Sequence, residues 1–432
     1  MSEPSVAAFI GDLKPLPEFL PFSPPSTDDQ ELAELAATLQ SGWLTTGPRT
    51  ERFEKLLAER LGAPTAAALS SCTAALHLGL LALDLGPGQA TLTTPLTFPS
   101  TAHAAVYVGA RPLLCDVSPD TGNLDPEAVR RFLSQDCRPG PDGRPVHQAT
   151  GLTVTALVPV HYGGHPADLP ALWTLAAQHR LNMLEDAAHA LGSFLLGLPI
   201  GHPALRPAAA QGLTSMTAFS FYATKNLTTA EGGLLVCSDL ERLERIRRLS
   251  MYGLSDARRI WGRYAPHGTW VYDVAELGFK CNFTDLQAAL GLVQLRKLDD
   301  FLAARTARAA VWLKALAPMA RRGLVELPTQ RPDCRSSWHL FPLRLNLKHL
   351  KIERDDFIEA LKALNIGTSV MFIPIHYHSY YQKTLGYQQG DFPIAEDFFR
   401  REVSLPLSPA HSLPTIEAAA ALVAALLDRQ AR

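Results

Sequence analysis

The chain has 432 residues, enough for two cores, and its 47% hydrophobic and 19% charged residues are the balance of a soluble globular protein. A formal net charge of −2 gives no general basic field, which makes nucleic acid a poor partner, and no apolar run is long enough to span a bilayer. The six cysteines (72, 115, 137, 237, 281 and 334) are scattered without a CxxC pair, so a zinc site or disulfide frame is excluded and reduced thiols in a cytoplasmic protein are expected.

The first six residues, Met1-Ser-Glu-Pro-Ser-Val6, have neither the basic region nor the apolar core of a secretory signal. Residues 1–28 are rich in proline and read as an arm lying across the surface or onto a partner subunit. Asp28-Asp29 opens an amphipathic helix through Leu39, with Leu32, Leu35, Ala36 and Leu39 on one face. Ser41-Gly-Trp-Leu-Thr-Thr-Gly-Pro48 is a turn-rich break before a second helix over 50–61. A short strand then ends in Ser70-Ser71, and a helix begins at about Cys72. Small residues at such a turn let backbone N–H groups meet a phosphate, and the helix dipole favours the anion; an ordinary serine N-cap has the same signature.

Residues 91–94 read as a strand, and Phe98 sits just beyond it, either as a core ring or as a flat face for a cofactor ring. A strand over 111–117, a helix over 125–133 with Pro126 in its first turn, and a polar loop over 135–151 follow. A strand over 154–160 runs into His161-Tyr-Gly-Gly-His-Pro166, and a helix spans 168–180. Strand and helix alternate from about 66 to 250, the pattern of an α/β domain with a mostly parallel sheet between helices. The first strand is not followed by GxGxxG, which rejects a dinucleotide-binding oxidoreductase.

Two short apolar runs, 181–184 and 216–221, have the length and flanks of buried parallel strands. Each ends in charge at the edge where α/β sheets hold their ligands: Glu185-Asp186 after the first, Thr224-Lys225 after the second. Singly, Asp186 reads as a helix cap and Lys225 as a solvated loop residue. Together, with Ser220 and Gly232-Gly233 nearby, they read as an acid and an amine facing one cofactor. Pyridoxal 5′-phosphate needs that pair, a lysine to carry it and an acid to hold its ring nitrogen protonated.

Beyond this, 239–250 reads as a charged surface helix and 252–272 as a loop with Trp261, Arg263 and Trp270. A long helix runs from Asp285 to about Leu316 and connects to a second unit. There, strands over 338–345 and 367–373 and helices over 353–364, 393–399 and 415–427 make an α+β fold without a cofactor signature.

These motifs resemble the DegT/DnrJ/EryC1/StrS family of sugar aminotransferases over nearly the whole chain. The resemblance is carried by Ser41–Pro48, Glu185-Asp-Ala-Ala-His-Ala190, Phe219-Ser-Phe with Lys225-Asn226 and Glu231-Gly-Gly233, and the stretch 277–291. His161–Asp168 and Trp261-Gly-Arg263 look most similar to enzymes that aminate a 4-keto nucleotide sugar, such as the UDP-4-amino-4-deoxy-L-arabinose aminotransferase. The resemblance implies the fold of type I pyridoxal-phosphate transferases: an N-terminal arm (1–28), a large cofactor-binding α/β domain (29–280), and a connector helix with a smaller C-terminal α+β domain (281–432). It implies transfer of an amino group from an amino acid, L-glutamate, to a keto group of a nucleotide-linked sugar, with 2-oxoglutarate as co-product. A homodimer with shared sites is implied, and neither metal, nucleic acid nor membrane.

Residue by residue, the resemblance makes Lys225 the lysine that carries the cofactor and Asp186 the partner of its ring nitrogen. His189 would lie near the ring or its 3-oxygen, and Phe98 would stack on its face. Cys72, Thr73 and Ser220 would hold the phosphate. Asn282, or alternatively Lys280, would reach the phosphate of the neighbouring subunit, and Thr46 and His376 would stand on the substrate side. Two departures are visible: Cys72 replaces the family's usual Gly or Ala, which requires a negative φ there, and the loop 201–212 is long and rich in Ala and Pro, which bears on substrate preference. Two alternatives keep the fold. Related sugar 3-dehydratases carry histidine in place of the lysine, so Lys225 speaks against that reaction; a non-catalytic cofactor-binding regulator would be expected to lose Lys225, Asp186 or the phosphate turn.

Overall fold

The computed structural model describes residues 6–256 and 272–432. Seven strands form the path of the central sheet: β1 (Ala66–Leu69), β2 (Gln89–Thr93), β3 (Arg111–Leu114), β4 (Thr153–Val158), β5 (Asn182–Asp186), β6 (Ser215–Ser220) and β7 (Gly233–Cys237). Their spatial order is β1-β7-β6-β5-β4-β2-β3. All neighbours pair in parallel except β7, which runs antiparallel to both β1 and β6. Six strands therefore point the same way, and their carboxyl ends share one edge.

Helices cover both faces, which is why the strands are apolar throughout rather than alternating. One face packs on Phe53 and Leu57 of the helix Pro48–Leu61 and on Leu172 and Trp173 of the helix Leu169–His179. The other packs on Ala75, Leu76 and Leu78 of the helix Cys72–Ala82 and on Leu243 and Ile246 of the helix Leu240–Leu249.

The connector helix runs Asp285–Arg321, opened by a reciprocal cap between Thr284 and Gln287. At about 1.5 Å per residue it is roughly 55 Å long. Its first half packs Ala288, Leu292 and Leu298 into the sheet core, and its second half packs Ala309, Trp312 and Leu316 into a separate core. That second core lies against a three-stranded antiparallel sheet of Val325–Glu326, Phe341–Leu345 and Glu402–Leu405, backed by the helices Arg354–Ala363 and Leu413–Arg429.

Three segments add to the expectation or depart from it. The N-terminal arm lies on its own chain: Phe9, Leu16 and Leu20 are buried in the second core, and the Leu16 and Leu20 N–H groups donate to Leu364 and Asn365 carbonyls at 3.1 and 2.8 Å. The polar loop over 135–151 contains a hairpin, Cys137–Pro139 against Pro145–His147, joined to β4 through Val146 and Thr153. The expected strand over 367–373 makes one bridge, Ser369 to Ser404, and then leaves the sheet, because the Met371 N–H donates to the Glu402 side chain at 2.8 Å instead of to a neighbouring strand.

Candidate active site

A cavity of about 620 Å³ opens at the carboxyl edge of the sheet. Four turns of the large unit wall it: Ser71–Thr73 after β1, Thr97–Ser100 after β2, Asp186–His189 after β5, and Ser220–Lys225 after β6. The second unit closes it with His339 and Val370–Phe372.

Asp186 ends β5 and is 4% exposed. Its Oδ2 accepts from the Thr101 hydroxyl at 2.7 Å and its Oδ1 from the Ala188 N–H at 3.1 Å. Burial pushes its pKa up, against the pull of those two bonds and of Lys225. Lys225 lines the same cavity, in a turn that its own N–H closes onto the Tyr222 carbonyl. Burial lowers its amine to about 8; Asp186 pulls upward and Arg305 pulls further down.

Two histidines stand beside Lys225. His339 Nε2 is 3.5 Å from the Lys225 amine, and the His189 and His339 rings are 4.3 Å apart. His189 Nδ1 accepts from the Gly163 N–H at 3.2 Å, which assigns its proton to Nε2. Burial drives both rings well below the ordinary histidine range, so both are neutral. Phe372 stacks on His189 at 5.7 Å and meets Phe98 edge-on at 5.9 Å. Phe98 is 59% exposed, so one face of its ring is bare at the cavity.

The turn after β1 is a helix N-terminus in which Ser71 accepts from the Ala74 N–H at 3.1 Å. The N–H groups of Cys72 and Thr73 have no partner within the helix and border the cavity. Cys72 is helical, outside the positive-φ residues, so its side chain is accommodated. Gly233 lies between Leu69 and Ser220 in the ladders, and a Cβ there would stand 2.4 Å from the Ser71 carbonyl carbon and 2.5 Å from the Cys72 nitrogen. The lack of a side chain at Gly233 is thus what lets β7 pass under this turn.

The structure brings Lys225, Asp186, His189, Cys72, Thr73, Phe98 and Ser220 around one space. It does not bring the rest. His376 stands apart: its ring is 0% exposed and bonded to Glu396 at 2.8 Å, packed against Phe392 and away from the cavity wall. Asn282 and Thr46 also lie off the wall, joined to each other by a 2.9 Å bond from Asn282 Nδ2 to the Thr46 hydroxyl. Lys280 contacts Met251 and the Tyr252 ring. None of 201–212 lines the cavity, since this loop leads into the amino end of β6. Arg335 covers the Phe194 ring at 3.9 Å, and Trp261, Arg263 and Trp270 lie outside the described residues. His339 escaped the sequence reading: within Trp338-His-Leu-Phe341 it looks like part of a strand, whereas the strand begins at Phe341.

These groups suit pyridoxal 5′-phosphate. A buried acid, an amine of lowered basicity, a bare aromatic face and a helix N-terminus with unpartnered N–H groups match its ring nitrogen, aldehyde, ring plane and phosphate. Among the described residues no helix is long and apolar enough to cross a membrane and no cluster suits a metal ion.

Residues 25–424 match the profile of the DegT/DnrJ/EryC1/StrS aminotransferase family. The chain is 42% identical to the spore coat polysaccharide biosynthesis protein SpsC of Bacillus subtilis over 395 residues, 91% of this chain and 93% of that one. It is 39% identical to an uncharacterised protein of Methanocaldococcus jannaschii over 391 residues, 90% and 93% of the two chains. Among solved structures, a putative sugar aminotransferase of Streptococcus pneumoniae in its PLP form superposes with a TM-score of 0.80 at 28% identity, covering 95% of this chain and 99% of that one. An aminotransferase involved in the biosynthesis of pseudoaminic acid in Helicobacter pylori also gives 0.80, at 26% identity, covering 95% and 100%.

Proposed function

Since the chain belongs to the DegT/DnrJ/EryC1/StrS aminotransferase family, whose members depend on pyridoxal phosphate, we propose that it aminates the keto group of a nucleotide-linked sugar, a 4-keto sugar, with L-glutamate as donor. The observation that carries this reading is the meeting of Asp186 and Lys225 in one cavity with a helix N-terminus at its wall. The relatives named for polysaccharide and pseudoaminic acid biosynthesis support a sugar acceptor.

When bound, the cofactor supplies an electron sink for the pair of electrons left on the donor's α-carbon. Asp186, fixed by Thr101 and Ala188, would hold the proton on the ring nitrogen. The Lys225 amine would take the proton from the donor's α-carbon and return it on the cofactor side, a task suited to an amine of pKa about 8. Cys72 and Thr73 N–H groups and the Ser220 hydroxyl would bind the phosphate, Phe98 would cover one ring face, and His189 would present Nε2–H to the ring's 3-oxygen.

Asn282 and Thr46, bonded to each other off the chain's own cavity, would serve the site of a second copy; Leu277, in the same stretch of chain as Asn282, is 87% exposed, which suits an interface. Thr46 would then stand on the acceptor's side. A cytoplasmic location fits the six free cysteines. The test is a screen of 4-keto and 3-keto nucleotide sugars with glutamate, read by mass. A gain of one amine on a 4-keto sugar is expected. Ammonia release without a donor, or no product from any nucleotide sugar, would overturn the reading.

A further inference from the structure

Behind the cavity lies a second line of groups that faces Lys225. Arg305, on the connector helix, is 2% exposed, and its Nη1 donates to three carbonyls: Leu407 at 2.7 Å, Trp338 and His339 at 3.3 Å each. Among the described residues its Nε has no partner. A buried cation held by carbonyl dipoles alone is expensive to keep, so a purely packing role would favour an apolar residue. Trp338, which Arg305 anchors, has φ of 51°, a left-handed conformation that a bulky residue adopts only when its surroundings enforce it. That turn carries the next side chain: the His339 ring is 4% exposed, with Nε2 toward Lys225 and Nδ1 facing no partner among the described residues.

A neutral imidazole carries one proton. On Nδ1 it would be an orphaned buried donor, the rarer and costlier defect. On Nε2 it points at the lone pair of a neutral Lys225 amine. We propose that Arg305 and His339 are positioning residues that keep the Lys225 amine in its base form, His339 by donating Nε2–H to the amine and Arg305 by placing a positive charge behind it. The other groups facing this amine are Asp186, which favours its charged form, and His189 and the Cys72 thiol, which burial keeps neutral. Burial is the largest cause of the lowered Lys225 basicity, and Arg305 acts in the same direction. The inference rests on the role given above to Lys225, and it deepens that role: the amine's readiness as a base is set from the connector helix.

The test begins on the cofactor-free protein. Labelling by trinitrobenzenesulfonate across a pH series, quantified by mass on the peptide that holds Lys225, gives the midpoint at which the amine becomes reactive, expected at about 8 in the parent chain. In His339→Asn and in Arg305→Gln, folded by circular dichroism, the midpoint should rise by roughly half to one pH unit. His339→Gln, whose amide reaches toward the amine, should recover part of the shift. In the loaded enzyme the acid limb of the glutamate half-reaction should move by the same amount, with KM for glutamate unchanged. A midpoint that stays or falls in folded His339→Asn overturns the proposal, and that variant decides alone if Arg305→Gln does not fold. A shifted midpoint beside an unmoved half-reaction would instead refute Lys225 as the base.

Discussion

Gly233→Ala isolates the contact between β7 and the phosphate turn. The added Cβ would lie 2.4 Å from the Ser71 carbonyl carbon, and ordinary contact begins at 3.4 Å, so the turn must retreat by 3.4 − 2.4 = 1.0 Å or the strand must bow. Both obstacles are backbone, without a flexible side chain to yield. Overpacking of this kind costs about 1–3 kcal/mol. The same retreat carries the Cys72 and Thr73 N–H groups away from the phosphate they are expected to hold. A hydrogen bond to a charged group is worth about 1.5–3 kcal/mol, so each bond lost weakens cofactor binding roughly 10- to 150-fold. Fluorescence titration of the cofactor-free protein with pyridoxal phosphate measures the second effect, and thermal denaturation the first. Gly86→Ala is the control, because its Cβ would meet only the Val108 carbonyl oxygen, at 3.7 Å. If Gly233→Ala melts normally and binds the cofactor as tightly as the parent chain, this turn does not hold the phosphate.

Further outcomes are expected at the site and behind it. Lys225→Ala should abolish transamination and remove the visible absorption of the loaded protein; near-normal turnover would end the scheme. Asp186→Asn keeps the shape of the group that accepts from Ala188 and meets Thr101, so the fold should survive while the rate falls by about 10²–10³, read in the glutamate half-reaction. Glu402, 0% exposed, accepts from the Met371 N–H and from Ser404, and burial raises its pKa from 4.5 to about 8. An acid whose folded pKa is raised contributes fully below its unfolded value, and that contribution is lost as pH rises through the folded one. Glu402→Gln has no such loss, so its stability relative to the parent should grow between about pH 5 and pH 9 in denaturant melts; a constant difference would place the carboxyl's titration elsewhere.

The alternation of the large unit was legible because buried parallel strands are short apolar runs bounded by turn residues, and helices 48–61, 72–82 and 169–179 carry their own caps. Asp186, Lys225 and the turn at Cys72 were legible for the same reason, since each terminates such a run. Direction was not: Gly233–Cys237 reads locally like its neighbours, and only pairing with both β1 and β6 makes it antiparallel. Nor was the fate of individual histidines. His376 and His339 both follow apolar residues, and what separates them lies far along the chain: Glu396 holds one in a buried pair, and Arg305 donates to the carbonyls of the turn that carries the other. The strand expected over 367–373 failed through a similar distant partner, the Glu402 carboxyl that takes the Met371 N–H.

Long-range partners also explain the electrostatics of the cavity. His189, His339 and Cys72 are all held in their neutral forms by burial, leaving Asp186 and Lys225 as the two groups whose charge is contested. Two hydrogen bonds, from Thr101 and Ala188, do not offset the desolvation of Asp186, so its carboxyl is raised rather than lowered. A cationic ring nitrogen against Oδ1 or Oδ2 would reverse that balance, because an opposite charge at hydrogen-bond distance outweighs a neutral donor. Loading the protein with the cofactor should therefore fix Asp186 as a carboxylate across the neutral pH range. Infrared difference spectra of the carboxyl stretch, compared with Asp186→Asn, test this: a protonated band that persists in the loaded parent would mean that the acid and the ring nitrogen do not meet.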